Sequence, residues 1–299
     1  MSSPECLYGG VYMSDVFAMA EGQFGKVVVI ELCHDLVSHS HSEIQFSYWL
    51  AGGQCYGMVG EALACCSETQ AMGINRYQAH DERLAHADVP ATMLILYLNE
   101  TWFDQHFSVQ DCPIYFQIGQ LIHTPDMRSK SWELMQKVLF SNVKNIANIE
   151  EDVKALVMLT IDNNPEATVP KPNAIRRKML DYRLRRILNH LRENMTEHDL
   201  MKNLSKSVGL SRSRLYELFK QELQSTPNLI WNCVLIDSAT QQIAQPGVDL
   251  SHVSQKLGFS TAANFSRFFR KHKGVTPTSY RKEVSAHVLN ELKHHAKAS

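Results

Sequence analysis

Polar side chains recur at every second position in His39-Ser40-His41-Ser42-Glu43-Ile44-Gln45-Phe46-Ser47. In an extended strand alternate side chains share a face, so His39, His41, Glu43 and Gln45 would point the same way. A third histidine, His80, follows the segment Gly73-Ile74-Asn75-Arg76-Tyr77. Converging imidazoles either ligate a divalent metal or hydrogen-bond a small polar ligand. A metal site would want a carboxylate four positions after His41, and Gln45 stands there instead, with an amide oxygen that is a poor transition-metal ligand; Glu43 is the nearest carboxylate. Hydrogen bonding to a small ligand by His39, His41, Gln45 and His80 is therefore the expected chemistry, with no metal, no cofactor and no catalytic residue. A bound metal, or histidines that only fill space, are the alternatives.

A second constellation is repeated. Leu204-x3-Val208-Gly209-Leu210-Ser211, then Leu215-x2-Leu218-Phe219-Lys220, ends at Thr226-Pro227. Val253-x3-Leu257-Gly258-Phe259-Ser260, then Phe265-x2-Phe268-Phe269-Arg270, ends at Thr276-Pro277, with one extra residue near the turn. Gly209 and Gly258 suit the left-handed residue that ends a short helix. Ser211, and Ser260 or Thr261, suit the N-cap of the next helix, and each Thr-Pro pair supplies an N-cap and an N1 proline for another. Leu215, Leu218 and Phe219, like Phe265, Phe268 and Phe269, form an apolar stripe that packs on the preceding helix. Two short helices joined by a glycine turn predict a helix-turn-helix unit, twice, whose second helix fits a major groove.

Opposite the stripes, at 100° per residue, lie Ser213, Glu217 and Lys220, and Ala263, Arg267 and Arg270, flanked by Arg214, Tyr216, Asn264 and Ser266. Arg267 suits guanine, Glu217 a cytosine amine, and Tyr216 or Ala263 a thymine methyl. Arg212, Lys220, Arg270, Lys271 and Lys273 suit phosphates. Charge agrees with this division. Residues 171–299 carry 22 Lys+Arg against 10 Asp+Glu, a balance of +12, whereas residues 1–170 carry 8 against 21, a balance of −13, and the two sum to the chain's −1. A basic half beside an acidic half implies a nucleic-acid-binding domain joined to one of another kind.

These residues need elements to hold them. Residues 24–100 read as short strands separated by glycine and polar clusters, the pattern of a small barrel or jelly roll. From Ser129 onward Leu134, Val138, Val143, Ile146, Ile149, Val153, Leu156 and Val157 recur at helical intervals. Val138, Ile146, Val153 and Leu156 are expected to form a stripe that a second copy of the chain buries, with a cover for the barrel as the alternative. Residues 163–175 hold three prolines and read as a linker. The expected division is 1–162 for sensing and dimerisation, 163–175 as linker, 176–284 for DNA binding, and 285–299 as a polar tail. The longest apolar run, Ala91–Leu98, is too short to span a membrane, and no leader is expected at the N-terminus. The seven irregularly spaced cysteines suit reduced thiols, and the adjacent Cys65 and Cys66 are expected to be packing residues. A cytoplasmic protein is expected.

The stretch 250–281, LSHVSQKLGFSTAANFSRFFRKHKGVTPTSYR, resembles the signature of the AraC/XylS transcription regulators, and the resemblance extends over both units, from Arg176 to Val284. It implies recognition helices in successive major grooves, separated by a connecting helix at 227–244. Base contacts are then implied for Ser213, Tyr216 and Glu217, and for Ala263, Asn264 and Arg267. Three positions depart from the family habit: Leu235 where Arg is common, Gln224 where Gly is common, and Ser254 where Ala is usual. The N-terminal half resembles the cupin-like sensor domain that often precedes such units. The implied fold class is α+β: an N-terminal β jelly-roll, cupin-like, with dimerisation helices, and a C-terminal all-α domain of two helix-turn-helix units. The resemblance implies an effector-responsive regulator or activator, a homodimer, that meets double-stranded promoter DNA, a small-molecule effector and RNA polymerase, with no membrane. A metal-dependent cupin oxygenase with an appended DNA-binding domain is the alternative; an enzyme is not expected.

Overall fold

The structure is a computed structural model that describes residues 15–107, 114–140, 146–170, 174–195, 200–245, 247–273 and 275–282. Its first part runs β1 (Asp15–Gly22), β2 (Gly25–Leu32), β3 (Leu36–His39), β4 (Ile44–Gly52), β5 (Cys55–Val59), β6 (Ala62–Cys66), β7 (Gln70–Ile74), β8 (His80–Leu84), β9 (Ala91–Leu98), α1 (Glu100–His106), β10 (Ile114–Phe116), β11 (Gln120–Ile122), α2 (Pro125–Phe140), α3 (Ile146–Asp162) and β12 (Thr168–Pro170). Helices follow: α4 (Ala174–Glu193), α5 (Leu200–Ser207), α6 (Arg212–Leu223), α7 (Pro227–Ile243), α8 (Leu250–Lys256) and α9 (Ala262–Lys273). The α+β class, with a β-rich N-terminal half and an all-α C-terminal half, is the one expected.

An antiparallel six-stranded sheet, β1-β2-β9-β4-β7-β11, faces a four-stranded one, β3-β8-β5-β6. Strand β9 shows how the period of two builds this barrel. Met93 and Ile95 turn inward with Val28, Ile30, Met72 and Ile74. Leu94, Leu96 and Leu98 turn outward and pack with Val27, Val29, Phe46 and residues of α2 and α3. With both faces covered, an unbroken apolar strand is what the sheet requires. Tyr48 ties the sheet to α3 through Thr160, 2.8 Å away, and Asp152 pairs with both Lys130 and Lys137 to hold α3 on α2.

Three expectations change here. The run from His39 to Ser47 is not one strand. It turns at 40–43, because the His41 carbonyl accepts the Tyr77 amide at 2.7 Å, so β3 joins one sheet and β4 the other. The expected linker 163–175 is partly structured. Thr168–Pro170 pairs with Ile114–Phe116, Pro170 being tolerated at the end of an edge strand, and buried Asn164 holds Ile122 N at 2.7 Å. Helix α4 begins within that span; residues 171–173 and the tail 285–299 lie outside the described residues. The expected dimer stripe is core: Val138, Val153 and Leu156 are buried against the barrel. The Ile146 side chain lies outside the described residues.

The helical half has two small cores that share α7. Leu204, Leu215, Leu218, Phe219, Ile230 and Val234 fill the first; Leu235, Ile236, Ala239, Val253, Phe265 and Phe269 fill the second. Leu235 thus replaces a common Arg with a side chain that the second core absorbs. Gly209 and Gly258 have φ of 69° and 79°, as helix ends require. Gln224 also adopts a left-handed conformation, φ 47° and ψ 40°, which costs an L-residue roughly 1–2 kcal/mol.

Cys65 and Cys66 point to opposite faces of β6, and Cys66 lies across the ladder from Cys55. Both Cys55 and Cys66 are buried thiols. Ser254 is almost fully buried and its hydroxyl has no hydrogen-bond partner. An unsatisfied buried hydroxyl destabilises the fold by about 1 kcal/mol or more. Replacing Ser254 with Ala should therefore raise the free energy of unfolding by about 1 kcal/mol. Urea denaturation would show an equal or lower midpoint if Ser254 had a compensating role.

Candidate nucleic-acid interface and effector cavity

Helix α6 is capped by Ser211, whose hydroxyl accepts the Arg214 amide at 3.2 Å. Helix α9 is capped in the same way by Thr261, which accepts the Asn264 amide at 3.1 Å. Of the two candidates named for the second cap, Thr261 is the one used. Thr226 accepts the Leu229 amide at 3.3 Å ahead of Pro227, and Thr276 accepts the Ser279 amide at 3.1 Å ahead of Pro277. The caps fix where each helix starts, and the buried stripes fix its rotation about its axis. Leu215, Leu218 and Phe219 are buried, as are Phe265 and Phe269, with Phe268 half-buried.

Ser213, Tyr216, Glu217, Ala263 and Arg267 are consequently exposed, and Asn264 is half-buried. Arg214 pairs with Glu217 at 3.1 Å, and Arg267 donates to the side-chain oxygen Oδ1 of Asn264 at 2.6 Å. These contacts lie along the outer face and would have to be exchanged for contacts with bases. Arg212, Lys220 and Lys271 are exposed and Arg270 half-buried. Lys273 departs from its expected phosphate role. It turns toward the barrel, its ammonium 5.5 Å from the centre of the Tyr97 ring.

The histidines do converge, at the seam between the barrel and the helical half. His39 and His80 face each other across the β3–β8 ladder, with ring centres 4.2 Å apart, and His41 lies 4.8 Å from His80. His39 hydrogen-bonds the Val37 carbonyl at 2.8 Å, and His80 the Gln78 carbonyl at 2.9 Å. Burial holds His41 down to about 4 and His80 down to about 3, so both are neutral at pH 7. The 3.8 Å approach of His41 to Glu43 is therefore not an ion pair at that pH.

Gln45 links this cluster to a buried acid. His41 Nε2 lies 2.6 Å from Gln45 Oε1, and His41 Nδ1 lies 2.9 Å from the Glu43 carbonyl. Gln45 Nε2 reaches Ser47 at 2.8 Å and Glu82 at 3.1 Å. With the amide in this orientation His41 must donate from both nitrogens, which makes it an imidazolium beside a Glu82 carboxylate. With the amide turned over, His41 is neutral and Glu82 holds the proton. Burial raises Glu82 to about 7, which favours the second arrangement at and below neutral pH.

Helices α7 and α9 cover the cluster. Ser40 donates to the Leu229 carbonyl at 3.3 Å and Ser42 to Asp237 at 3.1 Å. The space left beside His39 and His41 is about 30 Å³, room for roughly one water. Among the described residues no group of three His, Cys, Asp or Glu side chains has metal-site geometry. A larger cavity, about 210 Å³, lies beside it at the same seam. Val16, Met19, Val28, Ile30, Ile95 and Val275 give it apolar walls, and Lys26, Glu43, Lys273 and Tyr280 give it polar ones. This cavity escaped the sequence reading. Lys26 and Lys273 are far apart in the chain, and neither belongs to a recognisable motif.

A helix-turn-helix domain family matches residues 204–283. Over 92 residues the chain is 34% identical to a probable transcriptional regulator, LumQ, of Photobacterium leiognathi, an alignment covering 31% of this chain and 37% of that protein. Over 116 residues it is 25% identical to the lactose operon transcription activator of Staphylococcus xylosus, covering 39% of this chain and 42% of the relative. The match thus spans well under half the length of these relatives. Crystal structures of ToxT from Vibrio cholerae strain SCE256 share the fold over most of both chains. An apo variant aligns with a TM-score of 0.59 at 10% identity, over 88% of this chain and 98% of that one. The wild type bound to an unsaturated fatty acid aligns at 0.53 and 8%, over 88% and 95%. Among the described residues no helix is long and apolar enough to cross a membrane. The repeat, the capping geometry and the sequence match together make residues 204–283 a helix-turn-helix domain, joined to a barrel similar in fold to that of ToxT.

Proposed function

We propose that the chain is a sequence-specific transcription regulator that acts in the cytoplasm on double-stranded promoter DNA and responds to a small-molecule effector. One observation carries the reading: both second helices bury their apolar stripes and turn their polar faces to solvent. Ser213, Tyr216 and Glu217, and Ala263, Asn264 and Arg267, are the proposed base contacts, with Arg212, Lys220, Arg270 and Lys271 on phosphates. Arg267→Ala should lose about 1–3 kcal/mol of discrimination at one or two base pairs. Lys271→Ala should weaken binding to every sequence alike and flatten its salt dependence. Binding titrations on duplexes selected from genomic fragments measure both effects. Equal losses on specific and mixed-sequence duplexes for both variants would remove Arg267 from base readout.

The effector is proposed to occupy the 210 Å³ cavity, next to the smaller space lined by His39 and His41. Two lysines over apolar walls suit a carboxylate with an apolar body, and the fatty acid bound in the ToxT structure is of that class. His39, His41, Gln45 and His80 then transmit the ligand's presence across the seam. Lys26→Ala should weaken binding of octanoate or a longer unsaturated fatty acid at least tenfold, measured by calorimetry on the full chain. Undiminished binding would place the ligand elsewhere.

A homodimer is retained with a different surface. Among the described residues, Trp132, Leu139, Phe140 and Met158 are the exposed large apolar side chains of α2 and α3, Phe140 being 82% exposed. Phe140→Asp should shift sedimentation toward monomer without loss of helicity. A wild type that remains monomeric alone and on DNA would rule the dimer out. Contact with RNA polymerase belongs to the same reading and would be made from the DNA-bound state.

A further inference from the structure

The first recognition helix ends against the barrel. Lys220, in the last turn of α6, lies 2.9 Å from Glu61 in the turn between β5 and β6. One turn further on, Gln224 makes two more contacts with the same region. Its carbonyl accepts the Ala79 amide at 3.4 Å, and its side-chain oxygen accepts Gln78 Nε2 at 2.5 Å. Gly60 makes room for this carboxamide: a Cβ there would stand 2.2 Å from Gln224 Oε1, and its φ of 63° also excludes most side chains. The Gly60 amide is bound in turn to the Ala79 carbonyl at 2.7 Å, so the turn that carries Glu61 is fixed to the segment that Gln224 grips.

Two features make this more than an incidental surface contact. Gln224 occupies the left-handed position after a helix, where glycine fits without strain. A glycine there would end the helix equally well, but it could not bridge to Gln78. Lys220 also shares one face of α6 with Ser213 and Glu217, at spacings of seven and three residues. The Glu61 carboxylate therefore sits at the end of the face that would meet a duplex. It neutralises a cation placed for a phosphate. An exposed ion pair of this kind is weak alone; the Gln224 bridge holds it in place.

We propose that the β5–β6 turn is an intramolecular latch, in which Glu61 takes the place of a DNA phosphate on Lys220 and Gln224 holds the turn there. The proposal rests on the DNA-binding reading above. It assigns Gln224 the work of joining the first unit to the barrel, and it makes release of the barrel a condition for full phosphate contact by α6.

The test is salt-dependent binding of the full chain to a mixed-sequence duplex of 30 base pairs, followed by fluorescence anisotropy. Glu61→Gln should tighten binding at low salt and steepen the slope of log K against log salt by about 0.9, the signature of one more phosphate contact. Gln224→Gly should do the same while preserving the helix end. In a Lys220→Gln background, Glu61→Gln should change nothing. A slope unchanged in both Glu61→Gln and Gln224→Gly, with binding intact, would overturn the latch alone. A gain that persists without Lys220 would also overturn it, since it would then reflect only the loss of a negative charge. If neither wild type nor variants bind the duplex at low salt, the DNA-binding reading falls and takes the latch with it.

Discussion

Helix α7 has almost no solvent-facing side. Of its seventeen residues only Asn228 and Gln241 are exposed. Ile230, Cys233 and Val234 close the first core, while Leu235, Ile236, Ala239 and Ile243 close the second. Leu229 and Asp237 receive hydrogen bonds from Ser40 and Ser42 of the barrel. A helix buried all round cannot rotate or slide without opening every core it touches. The spacing of the two recognition helices, their rotation and their seat on the barrel are therefore one constraint. Any effector that shifts α7 relative to the barrel shifts both helices together.

The seam that α7 closes is polar where most cores are not. Three neutral imidazoles, the Gln45 amide and Glu82 lie beneath it, and His80 Nε2 has no partner. Polar burial of this kind adds little net stability and makes the docked arrangement specific. It also places the 210 Å³ cavity across two domains, with Lys26 on the barrel and Lys273 on α9. A ligand bridging them has different contacts in docked and undocked states, and that difference in affinity is what shifts a population.

The positions that depart from the family habit divide along these lines. Leu235 is absorbed by the second core. Ser254 leaves a buried hydroxyl unpaired, and nothing in the structure explains the choice. Gln224 accepts a strained backbone and gains a bridge to the barrel. Local rules fail where tertiary contacts outweigh them, as at Gln224 and at the turn of residues 40–43.

The sequence by itself determined the helical half. Caps, glycine ends and apolar stripes act over one or two turns, so the repeat around Gly209 and Gly258 was enough to rotate both recognition helices correctly. The alternation and β-branching of the first hundred residues determined a two-sheet barrel for the same reason. What lay beyond reach were the choices made between distant segments. Whether Val138, Val153 and Leu156 face a second copy or the barrel depends on which apolar surface is nearer, and periodicity is the same in both cases. Lys273 is one more cation on a basic helix until the fold sets Tyr97 beside it. His39, His41 and His80 were legible as a cluster, but only packing decided that α7 and α9 would cover them. Short-range geometry is written in neighbouring residues; a surface finds its partner only once both have folded.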